Sequence, residues 1–144
     1  MLCNDLALQT LFLGRFAFRF NSETVKTLIP NDVLGVYLLL LEGESVYVGR
    51  SDTCLRTRLA YHPHLRHASH FTYEICRSAY RAFYLESYWF HRLQRDAPQQ
   101  FLNCIHPAKP QNFSRHCPFC IPNDSKAFEH VLSKLGILEQ NTEL

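Results

Sequence analysis

The clearest pattern in the chain is a continuous apolar run that is followed by a short polar turn and a second apolar segment. Residues 34–41 read LGVYLLLL, which is typical of a strand that is covered on both faces. The sequence Glu42-Gly43-Glu44 predicts a turn, and residues 45–49 predict the returning strand. Residues 71–76 have the composition of a third strand. The pattern therefore predicts a small, mainly antiparallel three-stranded sheet in an α/β (α+β) domain.

Helical periodicity and capping signals predict helices around this sheet. They cover residues 24–28, 54–61, 79–95 and 126–135. Ser78 is positioned to cap the longest of them, and Asn21 lies just before the first. Residues 16–20 alternate like a strand, but the periodicity of the first third is mixed. We therefore expect one domain over residues 1–144, with an N-terminal extension at 1–33, a core at 34–103 and a Cys/His loop with a helix at 104–144.

The relative placement of two tyrosines depends on the length of the turn. With a three-residue loop, position 39 pairs with 47 and position 37 with 49, so Tyr37 and Tyr47 share one face of the sheet. A two-residue loop would place the two rings on opposite faces.

Composition narrows the class of protein. The chain has 144 residues, 47% hydrophobic and 19% charged, which excludes a disordered protein and leaves room for one ordinary domain. No apolar run reaches the roughly 18 residues of a membrane helix, and residues 1–5 lack the basic start of a signal peptide. We expect a cytoplasmic protein with no membrane partner. The net charge of +2 is compatible with a nucleic-acid partner but does not indicate one.

Two groups of charged residues are candidates for chemistry. Glu86 falls in the apolar stripe of the helix at 79–95, where an unpaired carboxylate is costly. It is a metal ligand or acid/base group, the partner of a buried arginine, or a residue at the wet edge of the stripe. Arg50, Arg56 and Arg58 follow the second strand closely, and such a cluster either binds phosphate or is a solvated basic surface.

Several of these features together resemble the GIY-YIG nuclease superfamily. Gly35-Val36-Tyr37 is followed, after nine intervening residues, by Tyr47-Val48-Gly49. The downstream segments 55–59 (LRTRL), 82–86 (AFYLE) and 101–103 (FLN) are similar, in order, to the arginine helix, the glutamate helix and the asparagine of that family. The resemblance covers about residues 35–103, which is nearly half of the chain.

The resemblance implies a role for each matching residue. Tyr37 would help to activate water or accept its proton, and Tyr47 would orient the phosphate or that water. Arg58 would stabilise negative charge on the scissile phosphate, and Glu86 would bind one Mg²⁺ or Mn²⁺ ion. Asn103 would support the site mainly through structural contacts.

Three basic residues extend the implied site. His62 lies one helical turn after Arg58, where several family members have a histidine or a tyrosine, and is a candidate general base. Arg50 stands where many members have a lysine, so it implies a phosphate contact. The segment between Gly49 and Leu55 is one residue longer than in the family pattern, so the choice between Arg58 and Arg56 stays open. Arg56 is therefore a further candidate for binding phosphate.

A tract of cysteines and histidines lies outside that resemblance. Cys104 and His106 are followed, after ten intervening residues, by Cys117 and Cys120. This is the spacing of a structural zinc site, with His116 as a possible substitute ligand. The alternatives are a loop without metal and a redox pair, although the tract lacks the strand-to-helix context of the latter. Zinc would supply folding energy to a loop with few apolar residues.

Taken together, the sequence predicts a divalent-metal-dependent endonuclease that hydrolyses phosphodiester bonds in DNA, with RNA still open as a substrate. One alternative is a noncatalytic nucleic-acid-binding module that docks through its arginines and zinc loop. The other is a nuclease subunit that needs a protein partner, with the zinc loop as the docking surface.

Overall fold

The computed structural model describes residues 13–120. The predicted helix at 126–135 lies outside these residues. The chain divides into two compact units, one of residues 13–115 and one of residues 1–12 with 116–144. In the second unit the described residues, 116–120, contain a 3₁₀ turn at Pro118–Cys120.

The first unit contains four strands and three helices among its described residues. In chain order these are β1 (Phe18–Arg19), α1 (Ser22–Leu28), β2 (Gly35–Leu41), β3 (Glu44–Ser51), α2 (Leu55–Ala60), β4 (His70–Ile75) and α3 (Ala79–Asp96). Helices α1 and α3 begin directly after the capping residues Asn21 and Ser78, so α1 starts two residues earlier than predicted. The Asn21 side chain accepts a hydrogen bond from the Thr24 amide at 2.8 Å, and the Ser78 hydroxyl accepts one from the Arg81 amide at 3.2 Å.

The sheet is fully antiparallel and has the order β1-β4-β2-β3. It therefore has four strands rather than the three that we predicted. The additional strand, β1, is only two residues long, and Phe18 pairs with Phe71 of β4. It lies within residues 16–20, whose alternation is strand-like, but only the pairing with β4 makes it part of the sheet. Phe20, Val25 and Ile29, which follow β1, belong to the hydrophobic core.

The hairpin of β2 and β3 has a two-residue turn, Glu42-Gly43, in which both residues have positive φ, 53° and 83°. Such φ values are those of the tight turns that match the twist of paired strands. A β-bulge after Leu39 shifts the register by one residue. The bulge cancels the effect of the shorter loop, so Leu39 pairs with Tyr47 and Tyr37 with Gly49, as predicted for the longer one.

Both faces of β2 are covered, as its apolar run predicts. Helices α1 and α2 contribute to the cluster that contains Tyr37, Leu39 and Phe71. Helix α3 packs along β3 and β2. The buried residues Val36 and Leu38 alternate with the first set and therefore point to the other face, towards α3. Within residues 13–120, no helix is long and apolar enough to cross a membrane.

Candidate active site

The two glycines of the resemblance make room for close packing. Gly49 is paired with Tyr37, and a Cβ atom at Gly49 would overlap the Tyr37 ring and hydroxyl. At Gly35 a Cβ atom would overlap the Glu74 carbonyl oxygen on the neighbouring strand. Both positions therefore require glycine for steric reasons, whatever the chemistry of the site.

The Tyr37 and Tyr47 rings stack on one face, with centroids 6.2 Å apart and planes 20° apart. Tyr37 is fully buried. The Arg58 guanidinium lies beside its hydroxyl, but among the described residues no group is placed to form a well-aligned hydrogen bond with that hydroxyl. Burial raises the pKa of Tyr37 well above its usual value near 10, and Arg58 offsets only part of that rise. At neutral pH Tyr37 keeps its proton, so in this arrangement it is a hydrogen-bond donor rather than a base.

His62 is buried edge-on against both tyrosines, with centroid distances of 5.4 Å to Tyr37 and 5.0 Å to Tyr47. Its Nδ1 accepts a hydrogen bond from the His64 amide at 3.0 Å, so the neutral ring carries its hydrogen on Nε2. Burial, with smaller contributions from His64 and Arg58, lowers the pKa of His62 to about 4. The ring is neutral at pH 7, but its basic nitrogen is already engaged. The predicted role as general base would therefore require a change of tautomer.

Glu86 lies on the buried face of α3 and is 9% exposed. Its Oε1 accepts a hydrogen bond from Nη1 of Arg50 at 2.8 Å. Of the alternatives for a carboxylate in the apolar stripe, the structure shows the pair with a buried arginine. Burial raises the pKa of Glu86 to about 7, and the positive charge of Arg50 opposes that rise.

Arg50 has a second carboxylate partner, Asp52. Its Nε donates to Asp52 Oδ1 at 2.6 Å and its Nη2 to Oδ2 at 3.1 Å, while the guanidinium lies 5.5 Å from the centre of the Phe83 ring. Asp52 was not among the predicted site residues. A signal for it was present, since an acid two residues after an arginine at a strand end can reach that arginine.

These side chains surround a cavity of about 180 Å³, which is lined by Arg50, Asp52, Arg58, Glu86 and Ala108. Arg58 is the α2 arginine that reaches it, whereas Arg56 is not among the lining residues. The Arg58 charge opposes the rise in pKa that burial causes at both Tyr37 and Glu86. Arg58 therefore links the tyrosine stack electrostatically to the carboxylate. Two guanidinium groups beside carboxylates can bind an anionic phosphate and a cation together.

Asn103 closes the outer edge of β3. Its Oδ1 accepts a hydrogen bond from the Val48 amide at 2.9 Å, and its Nδ2 donates to the Val48 carbonyl at 2.8 Å. The Leu102 amide donates to the Val46 carbonyl at 2.7 Å. The side-chain amide thus takes the place of a neighbouring strand, which is the structural contact expected of this residue.

A separate group of possible metal ligands consists of His91, His106, Cys117 and Cys120, whose ligand atoms all lie within 4.8 Å of one another. This group could hold a metal ion. Its fourth member is His91 rather than the predicted Cys104, whose Sγ instead lies 3.6 Å from the Leu102 carbonyl oxygen. The possible substitute His116 is also not a member. Twelve residues separate His91 from Cys104, the start of the tract, so the spacing within the tract could not have indicated it.

The two histidines of this group face each other through their Nε2 atoms. His106 Nδ1 lies 2.8 Å from the Pro107 carbonyl, which accepts its hydrogen, so the lone pair of the neutral ring is on Nε2. His106 Nε2 and His91 Nε2 are 3.2 Å apart. Burial and the proximity of His106 lower the pKa of His91, which favours its neutral form.

Comparison with known proteins adds no assignment to this geometry. No protein-family model matches the chain. Neither the curated proteins nor the solved structures that were compared give a significant match.

Proposed function

We propose that the protein is a divalent-metal-dependent endonuclease that hydrolyses phosphodiester bonds in DNA. The observation that supports this most directly is the cavity in which the buried carboxylate of Glu86 meets the guanidinium groups of Arg50 and Arg58. A phosphodiester carries a negative charge that grows on the nonbridging oxygens as the bond breaks, and fixed positive charges stabilise it there.

Different residues would bind the metal ion, contact the phosphate and orient the attacking water. Glu86 would hold one Mg²⁺ or Mn²⁺ ion, which when bound neutralises charge and activates water. Arg58 donates to the phosphate oxygens from α2. Tyr37, which stays protonated, and Tyr47 orient the phosphate or the attacking water. This assignment needs no proton transfer to His62, whose ring instead packs edge-on against both tyrosines.

A cleavage assay tests the proposal. Wild type, Glu86→Gln and the exposed control Glu44→Gln are incubated with supercoiled, linear, branched and single-stranded DNA in Mg²⁺, Mn²⁺ or EDTA. We expect cleavage by wild type and by Glu44→Gln, its abolition by EDTA, and a loss of about 100-fold or more in Glu86→Gln. Metal-dependent cleavage that Glu86→Gln leaves intact would refute the mechanism.

One observation favours a second candidate, the noncatalytic nucleic-acid-binding module. Glu86 is already paired with Arg50, so the carboxylate has a structural use without any metal. Under that alternative the folded protein binds DNA but cleaves none of the substrates in any metal. The same assay with a binding measurement on each substrate separates the two functions.

We further propose that His91, His106, Cys117 and Cys120 hold a structural zinc ion. Two nitrogen and two sulfur donors are a common tetrahedral zinc set. With Zn–N bonds of about 2.0 Å, two histidine ligands of a tetrahedral site lie about 3.3 Å apart. The distance of 3.2 Å between the two Nε2 atoms agrees with this value.

A further inference from the structure

The proposed metal ligand and the proposed phosphate contact already bind each other. Glu86 Oε1 accepts a hydrogen bond from Arg50 Nη1, and the two side chains are only 11% and 9% exposed. A divalent ion on Glu86 would compete with this guanidinium for the same carboxylate. If Glu86 were the only carboxylate partner of Arg50, the cost of a buried unpaired guanidinium would oppose metal binding.

Asp52 prevents that loss. It binds the Nε and Nη2 edge of the Arg50 guanidinium with both of its oxygens, at 2.6 and 3.1 Å, whereas Glu86 takes only Nη1. The two carboxylates therefore use different nitrogen atoms of one planar group. Arg50 can leave Glu86 without giving up its two hydrogen bonds to Asp52.

We propose that Asp52 is a positioning residue of this site, which holds Arg50 in the cavity while Glu86 exchanges the guanidinium for a divalent ion. Arg50 Nη1 then faces the cavity and can donate to a phosphate oxygen. The inference rests on the proposed function, since it assigns the ion to Glu86. It adds that Asp52 acts on the metal through Arg50 and not as a ligand.

A double-mutant cycle tests this inference through binding alone. The Kd for Mn²⁺ is measured by electron paramagnetic resonance at pH 8, without DNA, for wild type, Asp52→Asn, Arg50→Met and the double variant. We expect Asp52→Asn to weaken Mn²⁺ binding about tenfold when Arg50 is present and less than about twofold when residue 50 is Met. The exposed acid Asp32 gives the matched control Asp32→Asn, which should bind as wild type does.

Equal weakening in both backgrounds would overturn the inference, because Asp52 would then act on the ion directly. No effect of Asp52→Asn in either background would overturn it as well. Asp52→Glu, which restores the carboxylate, should recover affinity to within about threefold of wild type. Circular dichroism of each variant identifies any that is unfolded, and Asp52→Ser then replaces Asp52→Asn in the cycle.

The failure of this inference is distinguishable from the failure of the proposed function. If Asp52→Asn weakens Mn²⁺ binding equally in both backgrounds and the protein cleaves DNA, the proposed role of Asp52 is wrong and the proposed nuclease function stands. Absence of Mn²⁺ binding by the wild type at pH 8 removes both.

A second readout follows the phosphate rather than the metal. Fluorescence anisotropy with labelled DNA in Ca²⁺ should show weaker binding for Asp52→Asn than for wild type, because Arg50 Nη1 is no longer held towards the cavity. This loss should also disappear in the Arg50→Met background, and its persistence there would contradict a role through Arg50.

Discussion

Single residues of the candidate site owe their protonation mainly to burial. Tyr37 and Glu86 have raised pKa values and His62 a lowered one, and in each case desolvation of the charged form is the largest cause. The neighbouring arginines only modify these shifts. As a result, Tyr37 and His62 are neutral at pH 7, and fixed positive charge enters the site from Arg50 and Arg58.

The His62 pKa makes a prediction about acid stability. Its pKa is about 4 in the folded protein, against about 6.5 in the unfolded chain, so between these values only the unfolded state takes up the proton. The contribution of His62 to stability is thus fully present above pH 6.5 and falls by about 3 kcal/mol as the pH drops to 4. Urea unfolding at pH 7 and pH 4.5 should show that His62→Phe loses less stability on acidification than wild type. An equal loss in both proteins would show that the His62 ring becomes charged in the folded state as readily as in the unfolded chain.

The register between strands β2 and β3 and the position of helix α3 bring the residues of the candidate site together. The bulge in the β2–β3 hairpin places the Tyr37 and Tyr47 rings on one face despite the short turn. The same register sets Gly49 against Tyr37. Helix α3 presents Glu86 towards Arg50 at the far end of β3, thirty-six residues earlier in the chain. The pairing of β3 with β2 therefore places Tyr37 beside Tyr47 and sets the position of Arg50.

The contact of Gly49 with Tyr37 predicts the effect of one added methyl group. Gly49→Ala should destabilise the protein by about 1–3 kcal/mol, because the new Cβ overlaps the Tyr37 ring and forces it to move. The half-buried residue Ser45 on the same strand offers the control Ser45→Ala, which should change stability by less than about 0.5 kcal/mol. Urea unfolding measures both. If Gly49→Ala is as stable as wild type, the Tyr37 ring is not confined by this contact.

At the scale of the whole molecule, the described residues contain two distinct sites with different demands. The cavity combines buried charges that must stay exchangeable if a metal and a phosphate are to enter. The His/Cys group offers two imidazole nitrogens and two soft sulfurs, which suit a permanently bound ion. Under the proposed function, the cavity would take an exchangeable hard cation, and the His/Cys group, which could hold a metal ion, would take a structural one.

The zinc proposal predicts which variants lose metal. Purified wild type should contain about one zinc ion per chain by atomic emission, His91→Ala should contain almost none, and Cys104→Ser should retain it. A strong chelator should lower the Tm of wild type by at least about 5 °C. Zinc that is kept by His91→Ala and lost by Cys104→Ser would restore the ligand set expected from spacing alone.

Local sequence was sufficient for much of the fold. Patterns within one element predicted the apolar run of β2, a turn within residues 42–44, the caps at Asn21 and Ser78 and the place of Glu86 in the apolar stripe of α3. Such patterns are governed by backbone geometry and by the period of side chains on a helix or strand, and they need no knowledge of distant residues.

Only the tertiary structure decided which distant groups meet. The pairing of β1 with β4, the ion pair of Arg50 with Glu86, and the place of His91 beside His106 join residues that no local period relates. The burial that shifts the pKa values of Tyr37, His62 and Glu86 also came from the tertiary structure, because desolvation depends on everything that is packed around a group. The sequence by itself determined which chemical groups were present and on which elements, whereas the protonation and pairing of those groups came from the packing of the elements against one another.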